Sequence, residues 1–529
     1  MSRVLSSCCR PSPTTPILTC RLRSDTSVLM SASAPPELIR RRRFMRFRFA
    51  KEISMKHYDA VIVGSGAAGS VMAFRLAERG LRVLVLEKGK REDPQSFVHN
   101  EMAMLPRLYK EGGVQTSVDH DLVIMQGCTV GGSTVINNAI WLRADLTRVL
   151  PDWKTRGADL SESRINQAYT DLESKLHVSP LPAGLANKGT DVFLRGSQAL
   201  DISAHLLNNN RSECIGCGWC NYGCRYNRKA SMLVTFIPWA ESCGAELIDQ
   251  VQDIRFGIQG DAVKSVDYTR HGHKETVTAD RVVVCAGAIG SSELLLRNGI
   301  TQRGNVGKHF HVLGGVMVTA EMQQPVNGYD GIGLTAMAEV GPESVIETFF
   351  SPPGAFSITL GGWFATHLER MRRYNYFAQA GVMVGTDPRG TISLDRKGRT
   401  KIDLSFNKND LARLRRAVEA VAKIFFAAGA VSVLPATYRF VELTHPGDLA
   451  LLDEWIRHPD DLLLGSAHPQ GGNVMHEDPK KGVVDTTFRV HGWDNLYLVD
   501  ASVFPSNIWA NCQATVMALS HTASDYVVQ

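Results

Sequence analysis

Apolar runs and the small residues that interrupt them divide this chain into elements of two kinds. Residues 58–63 (Tyr-Asp-Ala-Val-Ile-Val) are mostly apolar and β-branched, the pattern of a buried strand. Gly64, Gly66 and Gly69 then open a helical stretch that runs to about Arg79 and stops at Gly80. A second apolar run, 82–87, predicts the next parallel strand, with Glu87 at its carboxyl end. A third unit, 281–295, reads as a buried strand, a small-residue turn and a helix. The pattern changes farther on. Residues 391–394 and 402–405 flank Asp395-Arg396-Lys397-Gly398-Arg399 and predict a hairpin. Leu411, Leu414, Val418, Val421 and Phe425 recur at helical spacing, with Asp410 as the expected N-cap and Gly429 past the end. That stripe is core packing.

The first kind of element predicts an α/β chain with a Rossmann-like domain. The second predicts an α+β substrate domain built on an antiparallel sheet. A chain of 529 residues is long enough for both. The expected division is a leader over 1–54, a discontinuous cofactor domain over 55–310 and 461–529, and the substrate domain over 311–460.

Charge alters the picture only at the N-terminus. The formal net charge is +5. Residues 1–54 hold ten Arg and Lys51 against Asp25, Glu37 and Glu52, a local +8, which leaves −3 for the remainder. The body therefore offers no basic face, and nucleic acid is not an expected partner. The leader is rich in Arg, Ser and Pro and lacks the apolar core of a secretory signal. It reads as a disordered extension, or as sequence upstream of a true start at Met55; the functional alternative is a targeting segment or a membrane-surface patch. No run of eighteen apolar residues is present, and the richest candidate, 417–436, is broken by Glu419, Lys423 and Gly429, so no transmembrane helix is expected. Eleven cysteines, scattered but for one cluster, suit a reducing compartment such as the cytoplasm.

The 58–87 unit has a chemical meaning. Gly64, Gly66 and Gly69, with Ala67 and Ala68 between them, let the backbone turn tightly and approach a pyrophosphate, which rests on the helix N-terminus. Glu87 stands where an acid accepts bonds from an adenosine ribose. This unit alone leaves FAD and NAD both open. A second run, 127–138 (Gly-Cys-Thr-Val-Gly-Gly-Ser-Thr-Val-Ile-Asn-Asn), is small enough to lie flat against a planar ligand.

These segments, joined to a tail over 466–525 that carries Ser466-Ala467-His468-Pro469-Gln470-Gly471-Gly472-Asn473 and Asn495-Leu496-Tyr497-Leu498-Val499-Asp500-Ala501-Ser502, resemble the glucose–methanol–choline (GMC) oxidoreductases. The resemblance runs from about residue 57 to the end. It implies FAD rather than NAD, and oxidation of an alcohol. Carried over by position, His468 matches the active-site histidine, and Asn511 stands where members have a second His or an Asn. Gly131, Gly132, Ser133 and Asn137 match the loop against the isoalloxazine. Asp500 and Ala501 match positions near the ribityl and pyrophosphate, and Val251 the residue beside the adenine. Three positions depart from the family pattern: Cys128, Asn298 and Ile136. Ile136 stands where some members have a flavin-linked His, so FAD is expected to be noncovalent.

The implied chemistry is removal of a hydroxyl proton and a carbon-bound hydride. A neutral imidazole suits the proton, which makes His468 the candidate base, while the Asn511 amide can hold the substrate oxygen but cannot titrate. His311 is read as structural. Expected partners are a small-molecule alcohol and, as acceptor, oxygen or an electron carrier.

One motif stands apart. Cys214, Cys217, Cys220 and Cys224 have the C-x2-C-x2-C-x3-C spacing of a ferredoxin loop, which makes them candidate ligands of an iron–sulfur cluster. Two features weigh against that reading. Arg225 stands where the ferredoxin run has Pro, and the fourth Cys of such a run serves a second cluster, for which no second run exists here. The loop is also similar to one in long-chain-alcohol-oxidising members. A thiol-lined structural loop, with at most one disulfide, is the favoured reading. Three functions follow in order: an FAD alcohol oxidase or dehydrogenase, an FAD dehydrogenase relaying electrons through a cluster, and a lyase on the same fold without redox turnover.

Overall fold

The computed structural model describes residues 55–529; both readings of the basic leader lie outside the described residues. The strand Lys56–Val63 lies at the centre of a seven-stranded sheet, between Val83–Leu86 and His273–Val284, and is parallel to both. Ala60, Val61 and Ile62 are fully buried, as a strand covered on both faces requires. Glu246–Ile248 extends the sheet on one side. On the other side, Leu496–Leu498 adds in parallel to the end of His273–Val284. The first half of that long strand belongs instead to an antiparallel meander with Ala262–Arg270 and Val251–Gln259.

Helix Ala67–Ala77 packs on this sheet and against the C-terminal helix Cys512–Val528, where the Ser520 hydroxyl donates to the Ala68 carbonyl at 2.7 Å. The third sequence unit folds as expected, strand into helix Gly287–Arg297.

A second sheet of eleven strands is built around the fifteen-residue strand Lys308–Met322. This strand pairs antiparallel with Phe377–Gly385 and Leu464–Gly472, and at its ends with Gly390–Leu394 and Ala430–Pro435. The 391–405 hairpin is present, with Ile392 opposite Ile402. The sheet also takes in strands from outside 311–460: Gln115–Thr116, Leu122–Ile124, Ala204–Leu206 and Leu464–Gly472.

Helix Lys408–Ala427 packs its Leu411, Leu414, Val418, Val421 and Phe425 stripe into this sheet. Its N-cap is Asn407, not Asp410. The Asn407 side chain accepts from the Asn409 and Asp410 N–H groups, and the Asp410 carboxylate accepts back from the Asn407 N–H, a reciprocal capping box. Asp410 is the third helical residue, and Arg389 and Arg413 both hold its carboxylate inside the protein. Gly429 ends the helix with φ +90°, as a residue past the last turn does.

Candidate flavin and substrate site

The three glycines of the first turn divide three tasks. A Cβ on Gly64, which has φ +103°, would lie 2.4 Å from the Cys285 carbonyl oxygen. A Cβ on Gly69 would lie 1.9 Å from the Gly64 carbonyl oxygen, so this residue sets the close approach of helix to strand. A Cβ on Gly66 would meet nothing within 4 Å. Gly66 is the N-cap of helix Ala67–Ala77 and caps it with no side-chain hydrogen bond, and the space beside its Cα is open. An uncapped helix N-terminus behind a glycine is a seat for phosphate.

Ser65 ties the neighbouring loops together. Its N–H and hydroxyl both donate to Glu87 Oε2, at 2.8 and 2.7 Å, and its Oγ accepts from the Gly131 N–H at 3.0 Å. Glu87 Oε1 accepts from the Gly89 N–H at 2.7 Å. Burial raises the Glu87 pKa, against the pull of these bonds. Glu87, the acid expected to meet the ribose, thus fixes the glycine turn to the strand end. The Val251 N–H donates to the Glu87 carbonyl at 2.9 Å, which holds that buried residue beside the end of the second strand.

The second glycine run crosses the first. A Cβ on Gly132 would lie 3.0 Å from Gly66 Cα. Ser133 closes its own loop, accepting from the Gly127 N–H at 3.0 Å. The Asn137 amide donates to Gln513 at the start of the C-terminal helix. Asp500 joins the tail to the third unit: it accepts from the Gly287 N–H at 2.9 Å and the Ser291 hydroxyl at 2.5 Å, and from the Ser502 N–H at 2.8 Å. Burial raises the Asp500 pKa, and Ala501 beside it is buried.

Five buried polar atoms along this tail have no partner within the protein: Gln470 Nε2, Asn473 Oδ1, Ser502 Oγ, Asn511 Oδ1 and Gln513 Nε2. Buried polar groups are rarely left unpaired. Together with the open Gly66 seat, they fit a long ligand with a polar rim, as FAD is.

His468 and Asn511 meet. His468 lies in strand Leu464–Gly472 opposite Leu313, and Asn511 is the N-cap of helix Cys512–Val528. The Asn511 amide donates to His468 Nε2 at 3.3 Å, which leaves the ring proton on Nδ1. Burial lowers the His468 pKa to about 4, so the imidazole is neutral at pH 7.

The structure adds a residue that sequence reasoning missed. Glu347, in strand Ser344–Phe349, accepts from the same Asn511 amide at 3.5 Å. Its Oε1 has no partner, and burial raises its pKa to about 7. The available signal was a carboxylate inside the apolar run Val345-Ile346-Glu347, a placement strands seldom tolerate without a function. His311, by contrast, is fully buried within the second sheet, with Nδ1 on the His309 carbonyl at 2.9 Å. Asn298 caps the C-terminus of helix Gly287–Arg297, accepting from the Phe256 N–H at 2.8 Å. Cys128 is partly buried, and Ile136 is buried in the small core beneath its loop. Cys214, Cys217, Cys220 and Cys224 sit together around one pocket.

Residues 105–313 and 386–520 match the two models of the GMC oxidoreductase family, and residues 62–92 match an NAD(P)-binding Rossmann-like domain. This chain belongs to the GMC oxidoreductases. It is 30% identical over 490 residues to an uncharacterized GMC-type oxidoreductase of Mycobacterium tuberculosis, covering 90% of this chain and 76% of that one. It is 25% identical over 520 residues to a long-chain-alcohol oxidase of Arabidopsis thaliana, covering 89% and 68%. The structure of a mutated formate oxidase from Aspergillus oryzae, solved to follow the effect of the mutation on FAD modification, superimposes with a TM-score of 0.67 at 16% identity, over 89% of this chain and 98% of that one. The GMC oxidoreductase described here is accordingly an FAD-dependent enzyme on an α/β fold. Among the described residues no helix is long and apolar enough to cross a membrane.

Proposed function

We propose that this GMC oxidoreductase oxidises an alcohol to an aldehyde or ketone, with FAD held noncovalently. The observation that supports this most is the contact between His468 and Asn511, next to the loop whose Asn137 reaches Gln513. When bound, FAD supplies the hydride acceptor. The protein's task is the hydroxyl proton.

His468, neutral and with Nε2 directed at Asn511, takes that proton. Asn511 holds the substrate oxygen through its amide and stays uncharged throughout. Glu347 shares the Asn511 amide and, above about pH 7, supplies a buried negative charge that favours the imidazolium as it forms. Gly64 to Gly69 and Glu87 would hold the adenosine and pyrophosphate, with Val251 beside the adenine. Gly131, Gly132, Ser133 and Asn137 would hold the ring system, and Asp500 and Ala501 the ribityl and pyrophosphate. Residues 311–460, with 93–125, form the substrate side. Ile136 offers no nucleophile for a flavin link.

The test is anaerobic mixing of the yellow protein with a panel of primary and secondary alcohols, read as loss of flavin absorbance. Bleaching by at least one class is expected, followed by recovery in air or on adding an artificial acceptor. Bound FAD that no alcohol bleaches would sink this reading and favour chemistry without redox turnover.

A further inference from the structure

The cysteine loop has no part in the proposed oxidation, and its surroundings carry a charge problem. Arg211 is 6% exposed and Lys229 is 2% exposed. Lys229 Nζ donates only to carbonyls: Val135 at 2.7 Å, Asn137 at 2.8 Å and Cys220 at 2.8 Å. Arg211 Nη2 donates to the Asn138 carbonyl and reaches Cys220 Sγ at 3.8 Å, while its Nε and Nη1 have no partner. Among the described residues no carboxylate pairs with either cation. Two buried positive charges without a counter-charge are costly. Protonated thiols cannot offset them.

Both cations line the pocket that holds Cys214, Cys217, Cys220 and Cys224, and all four cysteines are free. The pocket therefore has four sulfur donors and a demand for negative charge. A single tetrahedral ion is a poor match. Metal–sulfur bonds of about 2.3 Å place the ligand sulfurs less than roughly 4 Å apart, whereas no three of these lie within 4.8 Å of one another. A cubic cluster takes one thiolate at each iron, so its ligands stand farther apart while facing one centre.

Two further observations agree. The Gly216 N–H points at Cys214 Sγ at 3.5 Å, and the Arg228 N–H at Cys224 Sγ at 3.3 Å, bonds of the kind that stabilise cluster sulfurs. The loop is also held rigidly: a Cβ on Gly223, at φ +88°, would lie 2.6 Å from the Phe97 ring. One of the two sequence features that weigh against a cluster is that the fourth cysteine of such a run serves a second centre. Here Cys224 turns back to the same pocket as the other three, so one loop supplies a full set.

We propose that Cys214, Cys217, Cys220 and Cys224 bind a 4Fe–4S cluster as thiolates. Arg211 and Lys229 neutralise the anionic assembly. The site adjoins the proposed flavin loop: Lys229 links the Cys220 carbonyl to those of Val135 and Asn137, and the Asn221 amide donates to the Ile136 carbonyl at 2.9 Å. That position suits single-electron transfer toward an outside carrier.

The test uses the full chain, purified without oxygen, and does not depend on alcohol turnover. Iron and acid-labile sulfide of about four each per chain are expected, with an EPR signal after dithionite reduction. Cys217→Ala and Cys220→Ala should lose iron and sulfide in parallel while retaining FAD absorbance, which reports an intact fold. Wild-type protein with neither iron nor sulfide, both as isolated and after anaerobic incubation with ferrous iron and sulfide, overturns the proposal. So does zinc in place of iron, or a disulfide within the loop.

Discussion

Replacing Glu347 with Gln should stabilise the protein and impair it at the same time. In the folded state burial raises the Glu347 pKa to about 7 from its ordinary value of 4.5. Each unit is worth about 1.36 kcal/mol, so ionising this group inside the protein costs roughly 3 kcal/mol relative to the unfolded chain. The sign follows from the raised pKa of an acid. Below about pH 4.5 the carboxyl is protonated in both states and contributes no penalty. Between about 4.5 and 7 the unfolded chain ionises first, and stability falls. Above about 7 the full penalty applies. Glutamine keeps the shape and the Asn511 partner but never ionises. Thermal unfolding of the holoenzyme, followed by flavin fluorescence at one scan rate, should find wild type and Glu347→Gln alike at pH 4.5. At pH 8.5 the variant should unfold a few degrees higher, for a difference of this size in a large chain. Turnover should fall by about two orders of magnitude, and the rise of kcat/KM near pH 7 should vanish. Equal melting of the two proteins across this range, or a pH limb that survives in the variant, would refute the assignment of a buried, titrating carboxylate.

Other expectations follow from the same geometry. His468→Ala should keep its FAD and lose alcohol turnover by about two to four orders of magnitude; wild-type turnover in this variant would remove the base from the scheme. Asn511→Ala should cost less in turnover, because the amide orients and does not titrate. Gly66→Asp should fold yet bind no FAD, since its Cβ enters open space where the phosphates belong. Gly69→Ala should misfold, because its Cβ would lie 1.9 Å from a carbonyl oxygen; circular dichroism and flavin content together separate the two. Asn407→Ala should lower stability by about 1 kcal/mol through loss of the capping box, read by denaturant titration.

The sequence made the cofactor seat legible because its constraints are local. Strand, glycine turn, helix and acid lie within thirty residues, and each is enforced by backbone geometry that only certain residue types satisfy. The hairpin and the helix stripe at 408–427 were legible for the same reason. What was missed is set by distant chain. Asp410 looks like a cap until Arg389 and Arg413 draw its carboxylate inward and Asn407 takes the cap position. Glu347 carries no motif at all. Its role appears only when strand Ser344–Phe349 lies beside Asn511, more than 160 residues later in the chain. The extra strands of the second sheet, at 115–124 and 204–206, are two or three residues long. Runs that short carry too few positions for periodicity to reveal them.

The two residues proposed to handle the substrate hydroxyl come from different layers. His468 is fixed by the second sheet, through pairing with Leu313 and the Ser466 hydroxyl donating to the Leu313 carbonyl at 2.9 Å. Asn511 begins a helix that packs on Ala67–Ala77 over the first sheet. The short segment before Asn511 ties the two together. There the Asn507 amide donates to the Val312 carbonyl at 2.9 Å, and the Ile508 N–H to Gln470 Oε1 at 3.2 Å. A Cβ on Gly385 would lie 2.7 Å from Asn507 Cγ, so this segment is seated against the sheet with little room to shift. The 3.3 Å contact between His468 and Asn511 therefore reports the fit of the two sheets to each other. In the proposed reaction the proton acceptor faces the hydroxyl oxygen and the hydride acceptor the adjoining carbon, so anchoring them on separate layers would let the docking of the layers set the distance between them.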